Sequence, residues 1–273
     1  MNKKEKASTF WEHLEELRWV IFRIAIVVLS CMLVAFVNKD FLFGIILAPQ
    51  KSDFMLYHFF CFLAETVSIP AICPDDFHVE LINTQLASQF LIHIKIAFFA
   101  GVLAAFPYLV YQIFRFVSPA LYLHEKKYAF RLIFYSSLLF AMGILLNYFI
   151  IFPLSFRFLA TYQVSAEVIN TINLSSYIDT FLMLSLMLGI MSELPVLAWL
   201  FAKLGLLSDK IMKKYRKHAI VVILIIAAVI TPTADAFTLL LVFLPIYLLY
   251  ELSIFIVKKN VPLQKNNNEN IYE

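Results

Sequence analysis

Two glutamates lie among basic residues beside long apolar runs of the sequence. Glu16 precedes the first run within HLEELR (13–18), and Glu125 follows the second within FVSPALYLHEKK (116–127). Each carboxylate could form only a weak surface ion pair on a solvated helix face. Alternatively, the two could bind guanidinium groups of a ligand, because a carboxylate is a planar, bidentate acceptor for arginine.

A third glutamate, Glu193, lies inside an apolar segment that continues for about ten residues on either side. A carboxyl at such a depth in a membrane costs roughly 2.5–3.5 kcal/mol on insertion scales, so it is a functional candidate by default. It could instead be a structural carboxyl that is hydrogen-bonded to another helix.

Other polar positions indicate structural roles. Asp235, in TPTAD (231–235), could cap the helix that follows. Glu251 lies near Lys258 and Lys259, which could balance its charge. The sequence shows no glycine-rich phosphate loop, nucleophile triad or metal cluster, and HLEEL lacks the second histidine of a zinc-protease motif. We therefore expect no enzyme activity, cofactor, metal or nucleic-acid partner.

Composition places these residues in a membrane protein. The chain is 62% hydrophobic and 15% charged, against roughly 25% charged residues in an average soluble domain. It predicts an all-α polytopic fold with six transmembrane helices. The predicted spans are 19–38, 88–112, 130–152, 176–202, 218–231 and 236–257. With 28 phenylalanines and 5 glycines, we expect packing through large side chains rather than close glycine contacts.

Prolines inside three spans predict kinked helices, because proline removes a backbone donor and clashes with the carbonyl four residues earlier. These prolines are Pro107, Pro195 and Pro245. Kinked helices favour a cupped, concave bundle.

The distribution of basic residues predicts the orientation. One side carries 18 of the 22 lysines and arginines, so the N- and C-termini are expected to be cytoplasmic. Residues 1–18 then form a cytoplasmic amphipathic segment, residues 19–257 the membrane domain, and residues 258–273 a disordered tail. The fifth span has only about 18 Å of continuous apolar helix, so local bilayer thinning, a recessed helix or a re-entrant hairpin over 218–257 all remain open.

Two cysteines, Cys61 and Cys73, fall in the loop at 39–87 between the first two spans. If this loop is extracytoplasmic, its oxidising surroundings would permit a disulfide between them. Otherwise they are two unrelated thiols.

Four motifs in order resemble the TatC family, a subunit of the twin-arginine protein translocase. They are HLEELR, FVSPALYLHEKK, SELPV (192–196) and TP-x-x-D (231–235), and the resemblance covers about residues 10–257. It implies a receptor and organising subunit in the bacterial cytoplasmic membrane. Such a subunit binds twin-arginine signal peptides and helps to export folded proteins, driven by the proton-motive force. The implied partners are single-span subunits of the TatA/TatB type, in homo- and hetero-oligomers.

The resemblance also assigns residues. Glu16 and Glu125 would bind the arginine pair, Arg18 and Phe116 would support that site, and Glu193 would contact a partner's transmembrane helix. Further family positions are Pro49 and Asp235.

A proton-coupled secondary transporter is the main alternative, with Glu193 and Lys95 as a proton relay. The sequence has no inverted repeat of the kind found in many such transporters. A membrane-protein insertase or scaffold is a third possibility.

Overall fold

The long apolar runs form helices, because inside a bilayer a helix satisfies every backbone N–H and C=O within its own segment. The structure, a computed structural model, describes residues 10–51, 54, 81–117, 129–163, 165, 170–231 and 235–260. The helices are α1 (Phe10–Val37), α2 (Lys39–Ile46), α3 (Ser88–Val117), α4 (Ala129–Leu146), α5 (Phe152–Thr161), α6 (Leu174–Met191), α7 (Leu194–Lys203), α8 (Asp209–Lys214), α9 (Arg216–Ile230) and α10 (Ala236–Asn260). A 3-10 helix at Ala48–Gln50 follows α2, and a π-helix at Asn147–Ile151 joins α4 to α5.

Five helical segments of the described residues are long and apolar enough to cross a membrane. They are Leu14–Val37, Ser88–Phe116, Phe130–Thr161, Leu174–Lys203 and Ala236–Lys258. Five of the six predicted spans thus have a matching helical segment. At the fifth predicted span, 218–231, α9 has only 15 residues, or about 22 Å of helix, against a hydrocarbon core of about 30 Å.

Helix α1 packs along α3. A Cβ atom placed on Gly101 would lie 2.8 Å from the backbone nitrogen of Met32, so only glycine permits this approach. Farther along, the His93 ring stacks on Phe36 with centroids 3.9 Å apart. Only 11% of the most apolar stretch of α1 is buried, so α3 is its main support.

The core is built around α6. Ile178 and Leu184 of this helix are fully buried. The rings of Tyr177 and Phe181 each meet Phe152 of α5 edge to face, with centroids 5.0 Å apart. Side chains of α3, α9 and α10 complete the same apolar cluster.

The fourth segment breaks where a kink was predicted. Residues Ser192 and Glu193 leave the helix between α6 and α7, because Pro195 lacks an N–H and its ring conflicts with the carbonyl of Met191. In contrast, α3 and α10 stay helical through Pro107 and Pro245.

The third segment contains an irregularity that was not predicted. The π-helix at Asn147–Ile151 lies just before Pro153, at the second position of α5. A wider turn relieves the clash that this proline would make with a regular helix. Asn147, fully buried there, donates from Nδ2 to Ser185 Oγ of α6 at 2.7 Å.

Short contacts join the loops at one end of the bundle. Strand β1 (Leu81–Ile82) pairs in parallel with β2 (Ile172–Asn173). Asn173 Nδ2 donates to Thr84 Oγ1 at 2.7 Å. This strand pair adds a small β element to a fold predicted as all-α.

Close glycine contacts are more important than the composition suggested. A Cβ atom on Gly143 of α4 would lie 2.7 Å from the Leu188 carbonyl oxygen and closer still to Ser192 Oγ. The expectation of packing through large side chains alone was wrong, because a few glycines at helix crossings suffice to bring backbones together.

We predict that Gly143→Ala lowers the melting temperature in detergent, since the added methyl overpacks the α4–α6 contact at a cost of about 1–3 kcal/mol. The matched control is Gly44→Ala. Gly44 lies within α2, and a Cβ atom added there would have no other atom within 4 Å, so alanine should be neutral or slightly stabilising. Equal melting of Gly143→Ala and the parent chain would contradict the packing described.

Candidate functional site

A cavity of about 180 Å³ lies between α1 and α3. It is at the end of the bundle that carries Arg23, Arg115, Arg131 and Lys203, here called the basic end. The lining residues are Glu16, Trp19, Val20, Arg23, Gln112, Arg115 and Phe116. Those of α1 recur at three- and four-residue spacing, as do those of α3, so each set occupies one helix face.

Two residues from separate sequence motifs meet in this cavity. Glu16 of HLEELR and Phe116 of FVSPALYLHEKK both line it. Arg18 does not line it, because a residue two positions from Glu16 points away from the same helix face. Glu125 lies outside the described residues, so its predicted place beside Glu16 stays a prediction.

Sequence reasoning missed several lining residues, of which Gln112 is the most deeply buried. Its side chain is 3% exposed, and its Nε2 donates to the Tyr108 hydroxyl at 2.5 Å. Its Oε1 has no hydrogen-bond partner within the described part of the chain. The helical spacing from Phe116 back to Gln112 was the one signal that could have located it.

The charges of the described lining set a condition on any ligand. One carboxylate, Glu16, faces two guanidinium groups, those of Arg23 and Arg115. A ligand with two positive charges would be repelled unless a further carboxylate joins the site. The segment that carries Glu125 continues directly from Phe116, so it could supply that carboxylate.

Glu193 lies at the break between α6 and α7. Ser136 Oγ of α4 donates to Glu193 Oε2 at 2.6 Å. Glu193 Oε1 is buried and accepts no hydrogen bond from the described residues. The carboxyl thus joins two helices of its own chain and keeps one oxygen with acceptor capacity.

Lys95 does not form the proton relay considered for a transporter. Its Nζ bonds Asp179 Oδ1 at 2.7 Å, at the end of the bundle opposite the basic end. Asp179 and Glu193 are separated by about 21 Å along the fourth segment, at 1.5 Å per residue. Lys95 is therefore engaged far from Glu193.

The two further family positions, Pro49 and Asp235, both take part in contacts within the fold. Pro49 is buried in the 3-10 helix after α2, which contacts α5. Just before it, the Tyr177 hydroxyl donates to the Ile46 carbonyl at 2.9 Å. Asp235 Oδ1 accepts from the Thr238 backbone N–H at 2.7 Å, so the predicted cap of the last helix is confirmed.

The remaining sequence predictions concern Glu251 and the two loop cysteines. Glu251 is bound by Arg216 at 2.7 Å and by the Tyr247 hydroxyl at 3.0 Å, two partners that the sequence did not indicate. Cys61 and Cys73 lie outside the described residues, and their disulfide stays a prediction.

Comparison with known proteins decides the family. The family model of the Sec-independent protein translocase protein (TatC) matches residues 12–245. The chain belongs to the TatC family. The TatC protein of Blattabacterium sp. subsp. Periplaneta americana is 34% identical over 259 residues, which cover 94% of this chain and 97% of that one. TatC of Helicobacter pylori strain J99 is 40% identical over 183 residues, covering 67% and 72%.

Solved structures agree with this assignment. A crystal structure of the twin-arginine translocase receptor TatC matches with a TM-score of 0.72 at 32% identity, covering 91% of this chain and 99% of that one. A second TatC crystal structure, in the detergent DDM, matches with a TM-score of 0.74. This chain is thus a multi-pass membrane protein and a protein translocase subunit, not an enzyme.

We predict that Ser136→Ala lowers the melting temperature. It removes the hydroxyl that donates to the half-buried Glu193 carboxyl, which should lower the free energy of unfolding by about 1–3 kcal/mol. Ser137→Ala is the control. Ser137 Oγ is buried and has no partner among the described residues, so its removal should be neutral. If the two variants melt alike in detergent, the Ser136–Glu193 bond contributes nothing to stability.

Proposed function

We propose that this TatC protein is the receptor and core subunit of a twin-arginine translocase in the bacterial cytoplasmic membrane. It binds twin-arginine signal peptides at its cytoplasmic face and organises the export of folded proteins, driven by the proton-motive force. The observation that carries the proposal is the cavity at the basic end, where Glu16 and Phe116 from two separate motifs line one space.

In this proposal, the arginine pair of the peptide is held by two carboxylates. Glu16 is exposed on the cavity wall, and Glu125 supplies the second carboxylate, which offsets Arg23 and Arg115. Gln112 adds a neutral polar side chain to the lining of the cavity. Arginine is preferred to lysine because its planar guanidinium can bond a carboxylate through two N–H groups at once.

The proposed topology has six spans with cytoplasmic termini, so residues 1–18 and 258–273 lie on the cytoplasmic side. An even number of crossings requires α9 to cross with its 15 residues. The basic residues Arg216 and Lys217 begin α9 and agree with a cytoplasmic start. The bilayer beside α9 is then thinned, because the helix is about 8 Å shorter than the usual hydrocarbon core.

Glu193 is proposed as the contact for the transmembrane helix of a TatA/TatB-type single-span partner. Its side chain is only partly buried at a break in the fourth segment, and Ser136 donates a hydrogen bond to it. A polar side chain on a partner helix would find few other acceptors in lipid, so a carboxyl at this depth favours association at one place. Homo- and hetero-oligomers follow from such contacts.

The receptor role predicts a selective effect of Glu16→Gln. A twin-arginine signal peptide that carries a photo-crosslinker should label the variant about tenfold less at limiting peptide, since a charge-assisted pair contributes roughly 1.5–3 kcal/mol. The control is Glu15→Gln, which removes the same charge from a neighbouring exposed residue that does not line the cavity.

Inverted vesicles present the cytoplasmic face to the added peptide. Undiminished labelling of the Glu16→Gln/Glu125→Gln double variant would show that the arginine pair binds elsewhere. A twin-lysine peptide should label the parent chain poorly, because lysine lacks the bidentate geometry.

The partner-contact role predicts that Glu193→Ala abolishes export in vesicles while signal-peptide labelling is retained. Glu193→Gln keeps an amide oxygen that can accept a hydrogen bond, so it should restore part of the transport. The melting temperature of Glu193→Ala, compared with that of Ser136→Ala, shows whether the variant is folded. If the two melt alike and Glu193→Ala still loses peptide labelling, the residue belongs to peptide binding instead.

A further inference from the structure

A second cavity, of about 390 Å³, lies between α4, α7 and α10. It shares no lining residue with the cavity between α1 and α3. The lining residues are Arg131, Leu132, Tyr135, Leu139, Pro195, Val196, Trp199 and Ile256. One guanidinium, one phenol and one indole lie among otherwise aliphatic side chains.

The polar groups of this cavity are concentrated at one end. Arg131 is near the start of α4, at the basic end, whereas Leu139 lies about 12 Å farther along the same helix. Lys203, at the end of α7, places its Nζ 6.0 Å from the ring of Trp199. Tyr135 and Trp199 are residue types that favour the membrane interface.

The break at Ser192–Glu193 explains why the cavity exists. Because α7 begins after the break, with Pro195 in its first turn, it packs against α4 less extensively than α6 does. Pro195 and Val196 form part of the resulting wall. The apolar slot runs beside the helices for most of the depth of one leaflet, which is about 15 Å.

We infer that this cavity binds an anionic phospholipid. Its phosphate lies at Arg131, with Lys203 nearby, and one acyl chain lies along Leu132, Leu139 and Val196. Positive charge at the rim complements an anionic headgroup, whereas a zwitterionic headgroup also brings a cation toward the same residues. This inference does not depend on the proposed receptor function.

The shape and lining of the slot suit a lipid chain. Apart from Arg131, Tyr135 and Trp199, its lining residues are aliphatic, so an acyl chain can contact apolar groups along the slot. An extended acyl chain is also much narrower than a helix with its side chains, which is about 10–12 Å across. The acyl chain would lie against an apolar wall instead of water or neighbouring lipids. No polar group would lose its hydrogen-bond partner on binding.

Quenching of Trp199 fluorescence by brominated lipid tests the inference. The chain has three tryptophans, so Trp11→Phe/Trp19→Phe leaves Trp199 as the only indole. In phosphatidylcholine nanodiscs, brominated phosphatidylglycerol should quench Trp199 several-fold more than brominated phosphatidylcholine at the same mole fraction. Equal quenching by the two lipids would overturn the inference.

Variants test whether the preference for phosphatidylglycerol depends on Arg131. Arg131→Gln should abolish the preference for brominated phosphatidylglycerol, and Arg131→Lys should keep most of it, which separates charge from folding. Lys210→Gln, an equal charge change at an exposed site on α8, should leave the preference intact. A preference that survives Arg131→Gln would contradict the site, as would a photo-crosslinker at Leu139 that captures a second copy of the chain or a single-span partner instead of lipid.

Discussion

The packing of α1 along α3 is the contact on which the candidate site depends. Glycine at position 101 lets the two backbones approach at Met32. About 22–24 Å farther along the two helices, Glu16 of α1 and Phe116 of α3 line one cavity. Since α1 buries only 11% of its most apolar stretch, few other contacts could restore this register. A shift of one helical turn would separate a carboxylate from an aromatic wall and remove the site.

Polar side chains also bond one another between the membrane segments, because lipid offers them no water as a partner. Ser136 bonds Glu193 and Asn147 bonds Ser185, so both pairs join the third segment to the fourth. Both lie beside irregularities caused by proline. The segments thus stay joined by side-chain bonds where their backbones depart from regular helix.

Much of this architecture could be predicted from local sequence. Runs of apolar residues located the long helices, Pro195 located a break, and TPTAD located the cap at Asp235, because each depends on neighbours in the chain. Contacts between distant residues could not be predicted. Nothing near Glu251 indicated Arg216, and no local signal indicated the register of α1 on α3 that brings Glu16 and Gln112 to one cavity. Likewise, counting glycines could not show which of them lie at helix crossings.

The most direct test of the account is a disulfide between the receptor and a signal peptide with a cysteine beside its arginine pair. In a chain whose three native cysteines are serine, Trp19→Cys and Phe22→Cys place thiols at similarly exposed positions, 50% and 58%. Trp19 lines the cavity and Phe22 does not. The account predicts rapid cross-linking at position 19 and little at position 22. Equal cross-linking, or faster reaction at position 22, would contradict it.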